Sequence, residues 1–284
     1  MMERICAGIV LCNPDPERLA QSLASLRGQA ERVYLCDNGS ANIAEIRKLA
    51  GDPAATLLEN GENLGIAAAL NRLCREAADA GYTWIMTLDH DTVLPEDAIP
   101  KMAPYLGDAE AGILCPAVWY EGWKEQPQAK DGTERVSACM TSGSLTRLAA
   151  WEKAGGFREA FFIDFVDNDF CMQLRLNGYA VVRVNSVVMR HSLGEVRTVR
   201  IPLLGERRWV THKPWRVYYM IRNNLVFVKD YKAHLNVPKE KAKVAYIAWI
   251  SWLHTKEKKE TLRAIRQGMK DAKSGKLGKC EVGL

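Results

Sequence analysis

Tyr82-Thr83-Trp84-Ile85-Met86-Thr87-Leu88-Asp89-His90-Asp91 is the stretch that decides the fold. A run of aromatic, β-branched and aliphatic residues passes directly into two carboxylates spaced two apart. Such a run suits a strand covered on both faces, as in a parallel sheet, and not one with a wet face. Carboxylates have no stabilising partner in a core. Acids placed where a buried strand surfaces therefore cap a helix, bond a loop or hold a hard cation. Pro95, followed by Glu96 and Asp97, opens a helix and marks a turn soon after the acids.

The same unit repeats upstream. Ile5 to Cys12 is a second continuous apolar run, and Asn13-Pro14-Asp15-Pro16 turns the chain. Asp15 suits the cap of a helix that starts at Pro16, where Leu19, Leu23 and Leu26 recur at helical spacing until Gly28. Arg32 to Cys36 reads as the next strand, stopped by Asp37-Asn38-Gly39-Ser40. A short helix through Ile43, Ile46 and Leu49, a strand at Thr56-Leu57-Leu58 and a helix from Leu64 to Ala80 complete the run. Strand–helix alternation of this kind predicts an α/β fold with a Rossmann-like, doubly wound, mostly parallel central sheet flanked by helices. Its ligands bind at the carboxyl ends of the strands. Asn13, Asp37, Asn60 to Asn63 and Asp89 to Asp91 all fall at such ends. Strand-like segments at Gly112 to Trp119, Arg135 to Met140 and Tyr179 to Val184 extend the same sheet. Residues 214–230 read as helix and 239–273 as one long helix or two. The expected division is a domain over 1–210 and a C-terminal helical region over 211–284.

The chain of 284 residues is 48% hydrophobic, ample for a globular core. Its eight cysteines include no close-spaced pair of the zinc or redox type. They read as reduced core residues of a cytoplasmic protein, with Cys280 exposed. Neither a signal-peptide pattern nor a run of about 18 apolar residues is found. Of 39 Lys/Arg and 34 Asp/Glu, 12 and 5 lie from Lys239 onward, so the tail alone is basic.

Asp37 has the chemistry to accept the N3–H of uracil or thymine, against the plainer reading that it only makes a turn. Asn63-Leu64-Gly65-Ile66-Ala67 opens a helix with small residues that let backbone approach a phosphate, or is an Asn-capped helix packed closely on the sheet. Asp89 and Asp91 suit Mg²⁺ or Mn²⁺ bridging a diphosphate. Asp164, Asp167 and Asp169 sit among Phe, Ile and Val, where an acid in apolar surroundings suits general-base work; Asp167 and Asp169 equally suit a helix start. His191 ends a strand, as Asp91 does, and the two are placed to converge on one metal.

Taken in order, Cys12-Asn13-Pro14, Asp37-Asn38-Gly39-Ser40, Asn63 to Ala67, Leu88-Asp89-His90-Asp91, Gly155-Gly156-Phe157, Asp167-Asn168-Asp169-Phe170 and His191 resemble a family 2 glycosyltransferase with the GT-A fold. Within that family Asn63 to Asn71, Thr141-Ser142-Gly143-Ser144, Phe162 to Asp167 and His191-Ser192-Leu193-Gly194 are most similar to bacterial rhamnosyltransferases that use dTDP-L-rhamnose. The resemblance implies that Asp37 binds the pyrimidine, that Asn63, Gly65 and Ala67 line the nucleoside and phosphate side, and that Asp89 meets ribose or metal. It implies Asp91 and His191 as ligands of Mg²⁺ or Mn²⁺, and Asp167 as the base of an inverting displacement. Asp164 and Asp169 would then lie near sugar or acceptor, and Thr141, Ser142 and Gly143 would border that pocket. Two positions depart from the family pattern. His90 stands where related rhamnosyltransferases carry Gln, and Cys12 stands where many carry an aromatic residue against the base.

The implied partners are a nucleotide-sugar donor and a saccharide or lipid-linked saccharide acceptor of bacterial cell-surface polysaccharide synthesis. The competing donors are UDP-galactofuranose and UDP-N-acetylhexosamines. A nucleotidyltransferase and a noncatalytic sugar-nucleotide binder are the alternatives of other classes. Trp249 and Trp252 in an apolar run, followed by many Lys and Arg, suit either an anionic membrane surface on the inner face of the cell membrane or a second subunit. Nucleic acid is not expected, because no basic sheet or known motif accompanies the aromatic and basic residues at 212–224.

Overall fold

A computed structural model describes residues 3–120, 126–191, 196–201 and 205–280, with 196–201 and 205–209 by their backbone alone. Two compact units result, the first over Met1–Glu159 and Val166–His191, the second over Ala160–Phe165 and Ser192–Leu284.

The first unit is built on one eight-stranded sheet. Its strands are β1 (Ile5–Leu11), β2 (Val33–Asp37), β3 (Ala55–Glu59), β4 (Trp84–Asp89), β5 (Ala111–Tyr120), β6 (Thr133–Val136), β7 (Ser144–Arg147) and β8 (Ala180–His191), in the order β3-β2-β1-β4-β7-β5-β8-β6. β1 pairs in parallel with both β2 and β4. The chain thus winds outward through β2 and β3, then crosses back to β4 on the other side of β1. That reversal is the topological switch point, and it lies between the carboxyl ends of β1 and β4, where Val10 faces Asp89. β5 and β8 are parallel, while β7 runs antiparallel to both β4 and β5.

The apolar runs become central strands because both faces are covered. Ala7, Ile9 and Leu11 of β1 join one core with Leu19 and Leu26 of α1 (Pro16–Leu26), Ile46 of α2 (Ile43–Leu49) and Ile99 of α4 (Ala98–Met102). On the opposite face Gly8 meets Leu73 of α3 (Ile66–Asp79), whose methyl lies 3.0 Å from where a Cβ would stand. Asp15 caps α1 as expected, accepting the Arg18 N–H at 3.0 Å.

Three expectations change. Arg135 to Met140 is not one strand; the strand there is the shorter β6. The strand expected at Tyr179 to Val184 runs on to His191 as the twelve-residue β8. The central strand β7, Ser-Leu-Thr-Arg, carried no apolar signal because Ser144 and Thr146 are buried polar residues. Two further helices belong to this unit, α5 (Leu148–Lys153) and α6 (Val166–Leu176).

The second unit contains a hairpin of β9 (Val196–Ile201) and β10 (Gly205–Val210), then α7 (Pro214–Asp230), α8 (Val237–His254) and α9 (Lys258–Ser274). The tail is thus two helices, parted at Thr255. Val217 and Ile221 of α7, Val244 of α8 and Ile265 of α9 form its core. Arg222 is fully buried, donating to the carbonyls of Gly278 at 2.7 Å and Phe161 at 3.2 Å and lying against Tyr218 and Tyr219. Cys280, expected exposed, is half-buried, and its N–H donates to the Tyr219 hydroxyl at 2.7 Å. Among the described residues no helix is long and apolar enough to cross a membrane.

Candidate functional site

The carboxyl ends of β1, β2 and β3 are tied together by asparagines. Asn38 sits at the centre, its side-chain amide donating to Asn63 Oδ1 at 3.0 Å while its own Oδ1 accepts from Asn60 at 3.1 Å and from the Leu64 N–H at 3.0 Å. Asn13, in a left-handed conformation (φ 49°), accepts the Ala41 N–H through Oδ1, and its own N–H donates to Ser40 Oγ at 2.8 Å. Asn63 does not cap α3. Gly65 occupies that position, with φ 90°, and Asn63 Oδ1 accepts the Gly65 N–H at 2.9 Å. Asn63 also approaches Cys12 Sγ at 3.7 Å. Gly39 is required here, since φ is 77° and a Cβ would lie 2.7 Å from the Glu62 backbone. Ala67 is fully buried on α3, packed inward.

Asp37 is 2% exposed. Its carboxylate accepts the N–H groups of Gly39 and Ser40 at 3.1 and 3.2 Å, so the turn role weighed against base recognition is realised. A carboxylate offers about four lone-pair positions, so capacity for one further donor remains.

At the end of β4, Asp89 is the group whose acidity is displaced. Burial, and next the Asp91 carboxylate, push its carboxyl above the ordinary range; His191, His90 and a hydrogen bond with Ser142 pull it back. Asp89, His90, Asp91 and His191 therefore share one electrostatic neighbourhood, although Asp89 and His191 are 102 positions apart in sequence. His191 ends β8 opposite Tyr120 of β5, whose ring meets the imidazole edge-on at 6.1 Å. Asp91 faces Arg18 of α1 at 3.9 Å. Sequence reasoning passed over Arg18; its signal was its place in the first turn of the helix after β1, above the same strand ends.

Among the described residues no three His, Cys, Asp or Glu side chains stand close enough to form a finished cation cage. The donor set is nonetheless of the right kind. Hard carboxylate oxygens beside an imidazole suit Mg²⁺ or Mn²⁺, and Mg²⁺ in particular is commonly held by one or two carboxylates together with substrate phosphates. Burial first, and the neighbouring Asp91 charge second, raise the pKa of Asp89, and a bound cation would relieve that strain.

Thr141, Ser142 and Gly143, expected along the sugar pocket, form a bracket. Ser142 is 3% exposed; its Oγ accepts the Asp89 N–H at 3.0 Å and bonds Thr92 Oγ1 at 2.9 Å. Gly143 N–H donates to the Thr87 carbonyl at 2.7 Å, and Thr87 Oγ1 donates to the Thr141 carbonyl at 2.8 Å. Thr141 Oγ1 in turn donates to Asp167 Oδ1 at 2.9 Å. The bracket thus ties Asp89 of β4 to Asp167 on the first turn of α6. Asp169, on the same turn, is turned inward at 1% exposed and ion-paired with Arg158 at 3.2 Å, a structural pairing where a sugar-side contact was expected. The motif residues Ser192, Leu193 and Gly194 lie outside the described residues.

Asp164 belongs to the second unit. It pairs with Arg216, whose Nη2 stands 3.1 Å from Oδ1, and it lies in a turn where Phe162, Asp164 and Phe165 all have φ near 64°. Asn223, fully buried on α7, holds that turn, its amide shared among the carbonyls of Phe161, Ile163 and Asp164 at 2.8, 2.8 and 2.9 Å.

The chain is similar to known proteins. The family model described as glycosyl transferase family 2 matches residues 6–175. The chain is 26% identical over 249 residues to dTDP-rhamnosyl transferase RfbF of Shigella flexneri, covering 81% of each. It is 27% identical over 231 residues to the N-acetylglucosaminyl-diphospho-decaprenol L-rhamnosyltransferase of Mycobacterium tuberculosis, covering 64% of this chain and 74% of the relative. Among solved structures it resembles GalNAc-T7 with UDP, GalNAc and Mn²⁺, with a TM-score of 0.61 at 14% identity, over 97% of this chain and 58% of the other.

Proposed function

The chain belongs to glycosyl transferase family 2 and is a glycosyltransferase of the GT-A fold, and on that premise we propose that it moves L-rhamnose from dTDP-L-rhamnose to a saccharide acceptor with inversion. One observation carries the chemistry: Asp89, Asp91 and His191 share a neighbourhood at the switch point of the sheet, and Ser142 and Thr141 link it to Asp167. The rhamnosyl donor rests on two relatives whose names specify rhamnosyl transfer. The second relative's name also describes a diphospholipid-linked saccharide acceptor, which is the acceptor class proposed here. The reaction belongs on the cytoplasmic side of the membrane, where nucleotide sugars are available.

Asp37 with its turn holds the pyrimidine end, and the Asn38 and Asn63 network shapes the wall beside it. Asp89, Asp91 and His191 would hold Mg²⁺ or Mn²⁺, which when bound neutralises the diphosphate. Asp167 accepts the proton of the acceptor hydroxyl as its oxygen attacks the anomeric carbon. The bond from that carbon to the diphosphate oxygen breaks, and its electron pair leaves with dTDP. Thr141 donates to Asp167 Oδ1, which helps to orient the base. His90, in place of the Gln of related enzymes, adds an imidazole beside the acids.

A panel of donors tests the reading: dTDP-L-rhamnose, dTDP-glucose, UDP-GlcNAc and UDP-galactofuranose, each with Mn²⁺ or with EDTA. Thermal shift and slow donor hydrolysis should both be largest for dTDP-L-rhamnose with the cation, since a ligand at about 100 times its Kd stabilises by about 2.7 kcal/mol. A UDP-sugar that outperforms it would transfer the assignment to that sugar, and indifference to EDTA would end the cation role.

A further inference from the structure

In the second unit, α8 has two apolar sides, one of them packed. Val244, Ile247 and Ala248 pack against Val217, Ile221 and Ile265. On the other side Tyr246 is 52% exposed, Trp249 54% and Leu253 41%, a spacing of i, i+3 and i+7 that keeps them on one face, with Trp252 at 40% beside them. Single exposed apolar residues are ordinary, but a contiguous aromatic row is an interaction surface.

Cations border this row. Lys258, the first residue of α9, places its ammonium 4.7 Å from the Trp252 ring centre and donates to the carbonyls of Trp252 and Leu253 at 2.6 Å each. The basic start of α9 therefore abuts the aromatic end of α8. Along α9, Lys259, Arg263, Arg266 and Lys270 recur at one- and two-turn spacing and, with Leu262, line a shallow concavity of about 400 Å³. Met269 beside them is 54% exposed.

We propose that the α8–α9 face docks on an anionic lipid bilayer surface. Indole and phenol rings bury an apolar body while keeping a polar tip wet, which is the composition of a headgroup interface. Lys258 beside them and the Lys and Arg along α9 meet lipid phosphates, and from Lys239 onward Lys and Arg number 12 against 5 acids, so the complementary partner is anionic. A second copy of the chain fits less well, because a two-fold contact would set the cationic row of α9 against itself. A nucleic acid would use the cations but leave Leu253 and Met269 in water. The inference is independent of which sugar is carried.

Flotation of the full chain with vesicles tests it, using phosphatidylcholine alone and phosphatidylcholine mixed with phosphatidylglycerol. The chain should float with the mixed vesicles only, with a blue shift of tryptophan emission, and added salt should weaken binding. Trp249→Glu, and separately Arg263→Glu with Arg266→Glu, should each reduce binding about tenfold or more while leaving the thermal midpoint and donor hydrolysis unchanged. Tyr246→Glu serves as a second apolar-face variant should Trp249→Glu lower the midpoint. Equal flotation with both vesicle types, undiminished flotation of both apolar-face variants, or a dimer that dissociates in Trp249→Glu without vesicle binding would each overturn the proposal.

Discussion

Thr141 donates to Asp167, and the pair separates geometry from chemistry. In Asp167→Asn an amide oxygen still accepts the Thr141 hydroxyl, so fold and donor affinity should hold while kcat falls about 10²–10⁴-fold with loss of the proposed base. Steady-state kinetics beside a donor titration reads both, and full transfer by this variant would remove Asp167 from the mechanism. Ser142→Ala makes a different cut. It leaves the Asp89 N–H without its acceptor in a site where Ser142 is 3% exposed, a loss of about 1–3 kcal/mol for an orphaned buried donor. Urea unfolding measures it, and a midpoint equal to wild type would mean that water replaces the hydroxyl. The places of Asp37, Asp89 and His191 at strand ends were legible from the sequence. The bonding of the bracket was not, because a Ser bonded to backbone 53 positions away looks in sequence like any small polar residue.

At the scale of elements, β1, β2 and β4 could be read because parallel strands buried on both faces are continuous apolar runs. β7 could not, since Ser144 spends its hydroxyl on the Met140 carbonyl and thereby hides a central strand behind polar letters. The turn at 160–165 escaped for a related reason. Its left-handed residues are Phe and Asp, not Gly, and they hold that conformation because Asn223 bonds three of the turn's carbonyls. Left-handed backbone at such residues costs about 1–3 kcal/mol each and persists only where surroundings impose it. Asn223→Ala should therefore lower stability by roughly 2–4 kcal/mol, beyond an ordinary hydrogen-bond deletion. A loss below about 1 kcal/mol in chemical denaturation would show the turn to hold itself. The α7–α9 crossing gives a second case, at Gly268. Alanine gains up to about 1 kcal/mol in helix propensity, but its Cβ would stand 2.8 Å from the Tyr218 carbonyl oxygen, and overpacking costs about 1–3 kcal/mol. The clash outweighs the propensity, so Gly268→Ala should lower the thermal midpoint; a raised one would mean that α9 shifts freely.

Across the whole molecule, the scattered cysteines read as core residues, and five of the eight are buried. Burial pushes the Cys6 thiol up to about 12 and the Cys36 thiol up to about 11, and drives Cys74 up as well. Tyr218 moves the same way through burial and its bond to Asp271. The sign follows from proton counting. Above the ordinary thiol range near 8.5 the unfolded chain releases protons that the native state keeps, so stability is fully present below that range and is lost as pH rises toward 12. The denaturant midpoint should fall steadily from pH 8 to pH 11, and the slope should flatten in a Cys6→Ala, Cys36→Ala variant even though that variant starts less stable from its cavities. At pH 8 a disulfide reagent should leave Cys6, Cys36 and Cys74 untouched until urea is added, because a buried thiol offers neither thiolate nor access. Rapid labelling of those three in the native protein, or an unchanged slope in the variant, would show that this core opens more readily than its burial implies.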